Sequence, residues 1–188
     1  MHNKIKELRM YIGLSEVQIS TLLNISSYKY KRYEKGSLLV SVDVLILLSI
    51  MYDISVDLLI FDKYIAETIC KEESINNLLN FSQKERILIL ESNMCRHCTF
   101  DCSTVNYRVV KNILAGFINT FSKNLQKLRR SHMLEVSELA LAIQVNVEYY
   151  ASLESGKVWP SAFDLLKLSV FFSKSANELI GIKCGADT

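Results

Sequence analysis

Apolar residues recur every three or four positions along most of the chain, the spacing of amphipathic helices rather than strands. Ile5, Leu8 and Ile12 form the stripe of a first helix, predicted near residues 3–12. Ser15 reads as the N-cap of a second helix that turns Ile19 and Leu23 inward. Asn24 stands at a tight corner, where its short polar side chain tolerates positive φ. Ser26 is placed to cap a third helix with Tyr30 and Tyr33 inward, and Gly36 to end it. Ser41 opens a fourth helix bearing Val44, Leu45, Leu48 and Met51, and Ser55 opens a short fifth with Leu58 and Leu59.

The same pattern returns 120 residues later without an insertion. Residues 8–60 align with 128–180, and the identical pairs include Arg9/Arg129, Tyr30/Tyr150, Glu34/Glu154, Gly36/Gly156, Ser41/Ser161 and Ser55/Ser175. Scattered Leu matches arise by chance, but Arg, Glu, Gly and Ser matches in one ungapped frame do not. A period this long indicates duplicated domains rather than a solenoid. In the second copy Pro160-Ser161 marks the start of the fourth helix still more clearly.

Between the copies the chain lacks Gly/Ser or Pro runs, so it is not read as a flexible linker. Ile75, Leu78 and Leu79 lie on a helical period. Ser82 and Glu85 form a capping box ahead of Ile87–Leu90. Val110, Ile113, Leu114, Phe117, Ile118, Phe121, Leu125 and Leu128 then form a stripe that runs into the first helix of the second copy. Gly116 is its weak point, costing about 1 kcal/mol relative to Ala. An apolar helical face of this length needs a partner. The expected layout is an all-α chain with domains at 1–62 and 122–183 and a helical bridge at 63–121. A homodimer held through residues 74–121 is expected to bury the bridge.

Composition agrees with this picture. The 188 residues are 49% hydrophobic and 22% charged, which excludes a disordered chain. Six Gly and one Pro are too few for a sandwich or barrel. The net charge of +2 provides no global basic field, so any nucleic-acid role must come from a local patch. The most apolar stretch, Leu38 to Tyr52, is interrupted by Asp43 and falls short of the roughly 20 residues of a membrane span. No signal-peptide core follows Met1, and a cytoplasmic protein is expected.

The cysteines are odd in number: Cys70, Cys95, Cys98, Cys102 and Cys184. Without a secretion signal they read as reduced thiols. Cys95, Cys98 and Cys102, with His97, have the chemistry of a tetrahedral zinc site, and Cys70 is an alternative fourth ligand. Their spacings of three and four also put the three thiols on one helix face, where free Cys packs as a small hydrophobe. That second reading is preferred, and no cofactor is expected. His2, His97 and His132 are scattered, and no Gly-rich phosphate loop or paired-carboxylate signature occurs, so no enzyme is expected.

Each copy resembles the Cro/CI-type (XRE-like) helix-turn-helix domain, a lambda-repressor-like fold. The residues that carry the resemblance in the first copy are Leu8-Arg9, Leu14 to Ser26, then Tyr30, Arg32, Tyr33, Glu34, Lys35 and Gly36, and finally Ser55 to Leu59. The resemblance implies that helices two and three form a reading unit, with helix three in the major groove of double-stranded DNA. It implies intradomain ion pairs, Arg9 with Glu34 and Arg129 with Glu154, rather than a charge presented to DNA. It implies DNA contacts from Ser27, Tyr28, Lys29, Lys31 and Arg32, with Lys35 just beyond.

Two positions depart from the family. The Gln usual at the start of helix two is Glu16 in the first copy and Val136 in the second. In the second copy the helix-three positions hold Val147, Glu148, Tyr149, Ala151 and Ser152, with no cation until Lys157. Phosphate attraction dominates non-specific affinity, so the first copy is expected to read DNA. The second, with Val147 and Tyr149 expected exposed, is read as degenerate or as a protein-contacting face. A second reader is the alternative. The function implied is sequence-specific transcriptional regulation, by repression through promoter occupancy. The rival is an interaction module, an anti-repressor or antitoxin-like protein that uses the same fold.

Overall fold

The computed structural model describes residues 2–52, 54–60, 107–182 and, between them, positions 82, 84, 85, 87, 88 and 90. Among these residues the regular structure is helical and no β-strand occurs. The first set of helices is α1 (His2–Ile12), α2 (Glu16–Leu22), α3 (Ser27–Glu34), α4 (Val42–Tyr52) and α5 (Val56–Ile60). The second set is α6 (Tyr107–Ser131), α7 (Val136–Ala142), α8 (Val147–Glu154), α9 (Ala162–Phe172) and α10 (Ala176–Ile180). Both ends of α7, α8, α9 and α10 fall 120 residues after those of α2, α3, α4 and α5.

The chain divides into two compact units, Met1–Ile113 and Leu114–Thr188. In the first, α1 contributes Ile5, Leu8 and Ile12, which join Ile19, Leu23, Tyr30, Tyr33, Leu45 and Val56 in a core from which water is excluded. In the second, Phe121 and Leu125 on α6 take the part of the α1 residues, with Leu139, Ile143, Tyr150, Leu153, Leu165, Leu168 and Leu179 completing the core. The turns are of one design. Asn24 and Gln144 occupy the corner after the second helix with φ of 52° and 55°. Gly36 and Gly156 follow the third helix at φ of 69° and 68°, a conformation that costs Gly nothing and strains other residues.

Local capping sets these boundaries. Ser15 accepts a hydrogen bond from the Gln18 amide at 3.2 Å, while the Gln18 side chain accepts from the Ser15 amide at 2.8 Å. The Ser26 hydroxyl accepts from the Lys29 amide, and Asn146 does the same for α8. Ser161 and Asp164 form a reciprocal pair at the start of α9. At the matching place in the first unit Asp164 is replaced by Val44, and the Ser41 hydroxyl lies 3.3 Å from that of Tyr33.

The two fourth helices differ in their surroundings. Every residue of α4 from Val44 to Tyr52 is buried, although the helical stripe predicts only Val44, Leu45, Leu48 and Met51 inward. On α9, by contrast, Phe163, Val170 and Phe171 are 59%, 69% and 39% exposed.

In the bridge, Ser82 and Glu85 exchange hydrogen bonds as the sequence predicts, the Ser82 amide donating to Glu85 Oε2 at 2.8 Å. The bonds from Ser82 hold the Glu85 carboxyl below its ordinary range. The stripe from Val110 to Leu128 lies on the unbroken helix α6, which passes through Gly116 and across the expected domain edge at 121–122. The positions Ile75, Leu78, Leu79, Cys70, Cys95, His97, Cys98, Cys102 and Cys184 lie outside the described residues. Among the described residues, no group of His, Cys, Asp and Glu could hold a metal ion. No helix among them is long and apolar enough to cross a membrane.

Candidate nucleic-acid interface

The third helix of the first unit is fixed from below by a charged clamp. Arg9 Nε donates to Glu34 Oε1 at 2.6 Å and Nη2 to Glu34 Oε2 at 2.9 Å, a bidentate pair. Arg9 Nη1 donates to the Leu14 carbonyl at 2.8 Å. One guanidinium thus joins the end of α1, the loop entering α2 and the end of α3. The Glu34 side chain is 5% exposed, so it presents no charge to a ligand. The hydrogen bond to Glu34 raises the already high Arg9 pKa further, so the cation persists at all working pH. Arg129 repeats the clamp, with Nε 2.5 Å from Glu154 Oε1 and Nη1 2.7 Å from the Leu134 carbonyl.

Above the clamp, α3 separates its residues by period. Tyr30 and Tyr33 are buried with Glu34. Tyr28, Lys31 and Lys35 are exposed, and Ser27, Lys29 and Arg32 are half-buried. The Ser27 hydroxyl lies 2.8 Å from that of Ser20 on α2, which ties the start of α3 to the preceding helix. The Lys29 ammonium sits 5.7 Å from the centre of the Tyr33 ring, and the Arg32 guanidinium 6.0 Å from that of Tyr28. Both are helical i, i+4 neighbours. From residue 26 to residue 37 there are four cations and one acid, and that acid is Glu34, already held by Arg9. Glu16 stands half-buried in the first turn of α2, where a carboxylate suits the helix dipole.

The second unit builds the same scaffold with other surface chemistry. Val147 is 45% exposed, and Glu148 and Ala151 are exposed. Tyr149 departs from expectation. It is half-buried, and its hydroxyl donates to Asp164 Oδ2 at 3.0 Å. Burial, then the Asp164 charge, push its pKa up to about 12. Tyr149 therefore braces α8 against α9 and is not a free contact residue. The signal missed was Asp164, which sequence spacing alone presents only as part of a helix cap. Four further polar contacts have no counterpart in the sequence patterns. Ser122 Oγ donates to the Glu154 carbonyl. Gln126 Nε2 donates to the same carbonyl at 2.7 Å. Asn124 Nδ2 donates to the carbonyls of Glu178 and Leu179, each at 3.1 Å. Residues 2, 4 and 6, which occupy the places of 122, 124 and 126 in the first unit, are His2, Lys4 and Lys6.

No curated protein and no solved structure matches the chain. One family model does, described as helix-turn-helix, over residues 125–179. The match covers the end of α6 through α10, the unit whose third helix lacks cations, and it does not extend to the first unit. The matched segment contains two short helices, α7 and α8, joined by a corner at Gln144 and locked by the Arg129–Glu154 clamp. Residues 125–179 thus match a helix-turn-helix family model, and the structure places two short helices and a tight corner within them.

Proposed function

We propose that the protein is a sequence-specific, double-stranded-DNA-binding transcriptional regulator of the Cro/CI-like kind, that both units are helix-turn-helix domains, and that α3 of the first unit is its main reader. The observation that carries this reading is the outer face of α3, where Tyr28, Lys29, Lys31, Arg32 and Lys35 stand with no uncompensated acid. The helix that bears them has the length, corner and clamp of α8, which lies inside the family match. Cations on such a helix release counterions from phosphates and give affinity, while side chains reaching base edges give specificity. Repression follows from occupancy of a promoter. A homodimer held through residues 74–121 would place two first units on half-sites about one helical turn apart. A cytoplasmic location accords with this role.

The test is fluorescence anisotropy of the full chain with a labelled random-sequence duplex across a salt series, followed by selection of preferred sites. Absence of salt-dependent duplex binding sinks the reading. A second reading, an interaction module, is favoured by one observation, the apolar side chains Leu141, Phe163 and Val170 left 79%, 59% and 69% exposed on the second unit. The two readings are compatible if the first unit binds DNA and the second a protein.

A further inference from the structure

We propose that Tyr28 and Arg32 act as one reading unit for a 5-methylpyrimidine–guanine step, the thymine–guanine dinucleotide or its methylated cytosine–guanine equivalent. The inference rests on α3 being the DNA-facing helix, and its test is built so that the two fail separately.

The geometry is a cation set over an aromatic ring one helical turn away. The Arg32 guanidinium carbon lies 6.0 Å from the centre of the Tyr28 ring, and that ring is 74% exposed. Tyr28 is the most exposed aromatic side chain on α3, because Tyr30 and Tyr33 face the core. No carboxylate competes for Arg32 on this helix, since Glu34 is bound by Arg9 through both oxygens. Among the described residues, the polar contact of the Arg32 guanidinium is a long one, from Nη2 to the Ser37 carbonyl at 3.4 Å. The guanidinium therefore has a ring on one side and one long bond to a carbonyl, with no carboxylate partner on this helix.

The chemistry of the major groove then restricts the ligand. A planar guanidinium that donates two hydrogen bonds to guanine O6 and N7 lies in the plane of that base. The base stacked on the 5′ side of the guanine carries its C5 substituent above that plane, over the guanidinium face. A methyl group there makes an apolar contact and displaces water, and a bare C–H does not. The Tyr28 ring covers the opposite face, so the guanidinium is sandwiched between ring and methyl. Arg32 contacts the base, and Tyr28 is a positioning residue that acts through it. Glu148 and Ser152, at the same two places on α8, supply neither ring nor guanidinium, so this unit belongs to the first domain only.

Two sources carry the same methyl, thymine and 5-methylcytosine, and the experiment separates them. The full chain is used to select sites from a random library about two helical turns long, once unmodified and once methylated at cytosine–guanine steps. The best site is then resynthesised with uracil for thymine, with cytosine for 5-methylcytosine, and with 7-deazaguanine. The expected result is a fixed thymine–guanine step from the unmodified library. Recovery of methylated steps from the other library would identify methylcytosine as the source. Removing the methyl should weaken binding about fourfold, the worth of one buried methyl-sized group. Removing guanine N7 should weaken it at least about fivefold.

Arg32→Lys should keep the salt dependence and lose both preferences. Tyr28→Ala should lose the methyl preference, and Tyr28→Phe should restore it, since the ring and not the hydroxyl is required. Selected sites without such a step, or equal binding of uracil and thymine duplexes, overturn the inference and leave DNA binding intact. Failure of every duplex to bind in a salt-dependent way removes the underlying reading, and the inference with it.

Discussion

The Tyr150 hydroxyl donates to Glu154 Oε1 at 2.6 Å, one turn along the same helix, whereas the Tyr30 hydroxyl, in the same place before Glu34, is buried without a hydrogen bond of good geometry. The Tyr52 hydroxyl is also buried and unpartnered among the described residues, and the second unit holds Phe172 at that position. A buried hydroxyl bonded to a carboxylate contributes about 1.5–3 kcal/mol, while an unsatisfied one costs about 1–3 kcal/mol. Tyr150→Phe is therefore expected to destabilise the second unit. Tyr30→Phe and Tyr52→Phe are expected to be neutral or stabilising in the first. Urea denaturation of the three variants measures this, and equal losses for Tyr30→Phe and Tyr150→Phe would contradict it.

The buried tyrosines also set a pH limit. Burial is the leading cause that raises the pKa of Tyr30, Tyr52, Tyr149 and Tyr150, with Tyr149 pushed up to about 12. Unfolded tyrosine ionises near pH 10. The fold holds these protons more tightly than the unfolded chain, so their contribution is complete below about pH 10 and is lost as pH rises towards 12. The urea midpoint should fall as pH is raised from about 10 to about 12. A midpoint that rises over that interval is incompatible with the assignment.

Met133 occupies the loop position that Gly13 holds in the first unit, at φ of 55° against 77°. Its side chain is 93% exposed, so little packing compensates for the left-handed backbone. Met133→Gly should stabilise the second unit by up to about 1 kcal/mol, through relief of that conformation. Thermal unfolding reads the change, and a drop in Tm would show that the strain is absent.

Loss of either clamp should be severe. Arg9→Ala or Arg129→Ala leaves a carboxylate 5% or 9% exposed without its partner. The expected cost is about 3–5 kcal/mol in the unit concerned. Circular dichroism and denaturation of the full chain check this. A loss below about 1 kcal/mol would place the pair among ordinary surface contacts.

On DNA, Lys31→Ala and Lys35→Ala should weaken binding across sequences and reduce the salt slope by about one for each phosphate that the variant no longer neutralises. Glu148→Ala, on the exposed face of α8, removes no cation and should leave affinity within about a factor of three. Tyr149 is unsuited to this comparison, because its bond to Asp164 makes substitution a stability change. Titrations at several salt concentrations decide. A Glu148→Ala effect as large as that of Lys31→Ala would give both units a reading role.

Much of the fold was legible because it is written locally. Ser15, Ser26, Ser161 and Ser175 accept hydrogen bonds from the amides that open their helices, and Asn24 adopts the positive φ expected of it. The basic positions on α3 follow from its period once Tyr30 and Tyr33 are known to face inward. Contacts between distant elements were not legible. The bond from Tyr149 to Asp164 joins residues 15 apart that meet only after α8 folds against α9. The burial of α4 on all sides is readable in its nearly unbroken apolar run, which a one-sided stripe understates. The approach of Arg32 to the Tyr28 ring had a signal, the i, i+4 spacing of a cation and an aromatic ring.

The unbroken 120-residue offset makes the chain its own reference standard. From the second helix to the fifth, the two units have the same helix lengths and the same loop lengths. Any difference in amide exchange between Tyr30 and Tyr150, or between Leu45 and Leu165, is then a difference of side chains and surroundings alone. Both measurements come from one molecule in one tube, at one pH and one temperature. Effects that are ordinarily inferred across two proteins, with two backgrounds to correct for, are here read as a ratio within a single spectrum.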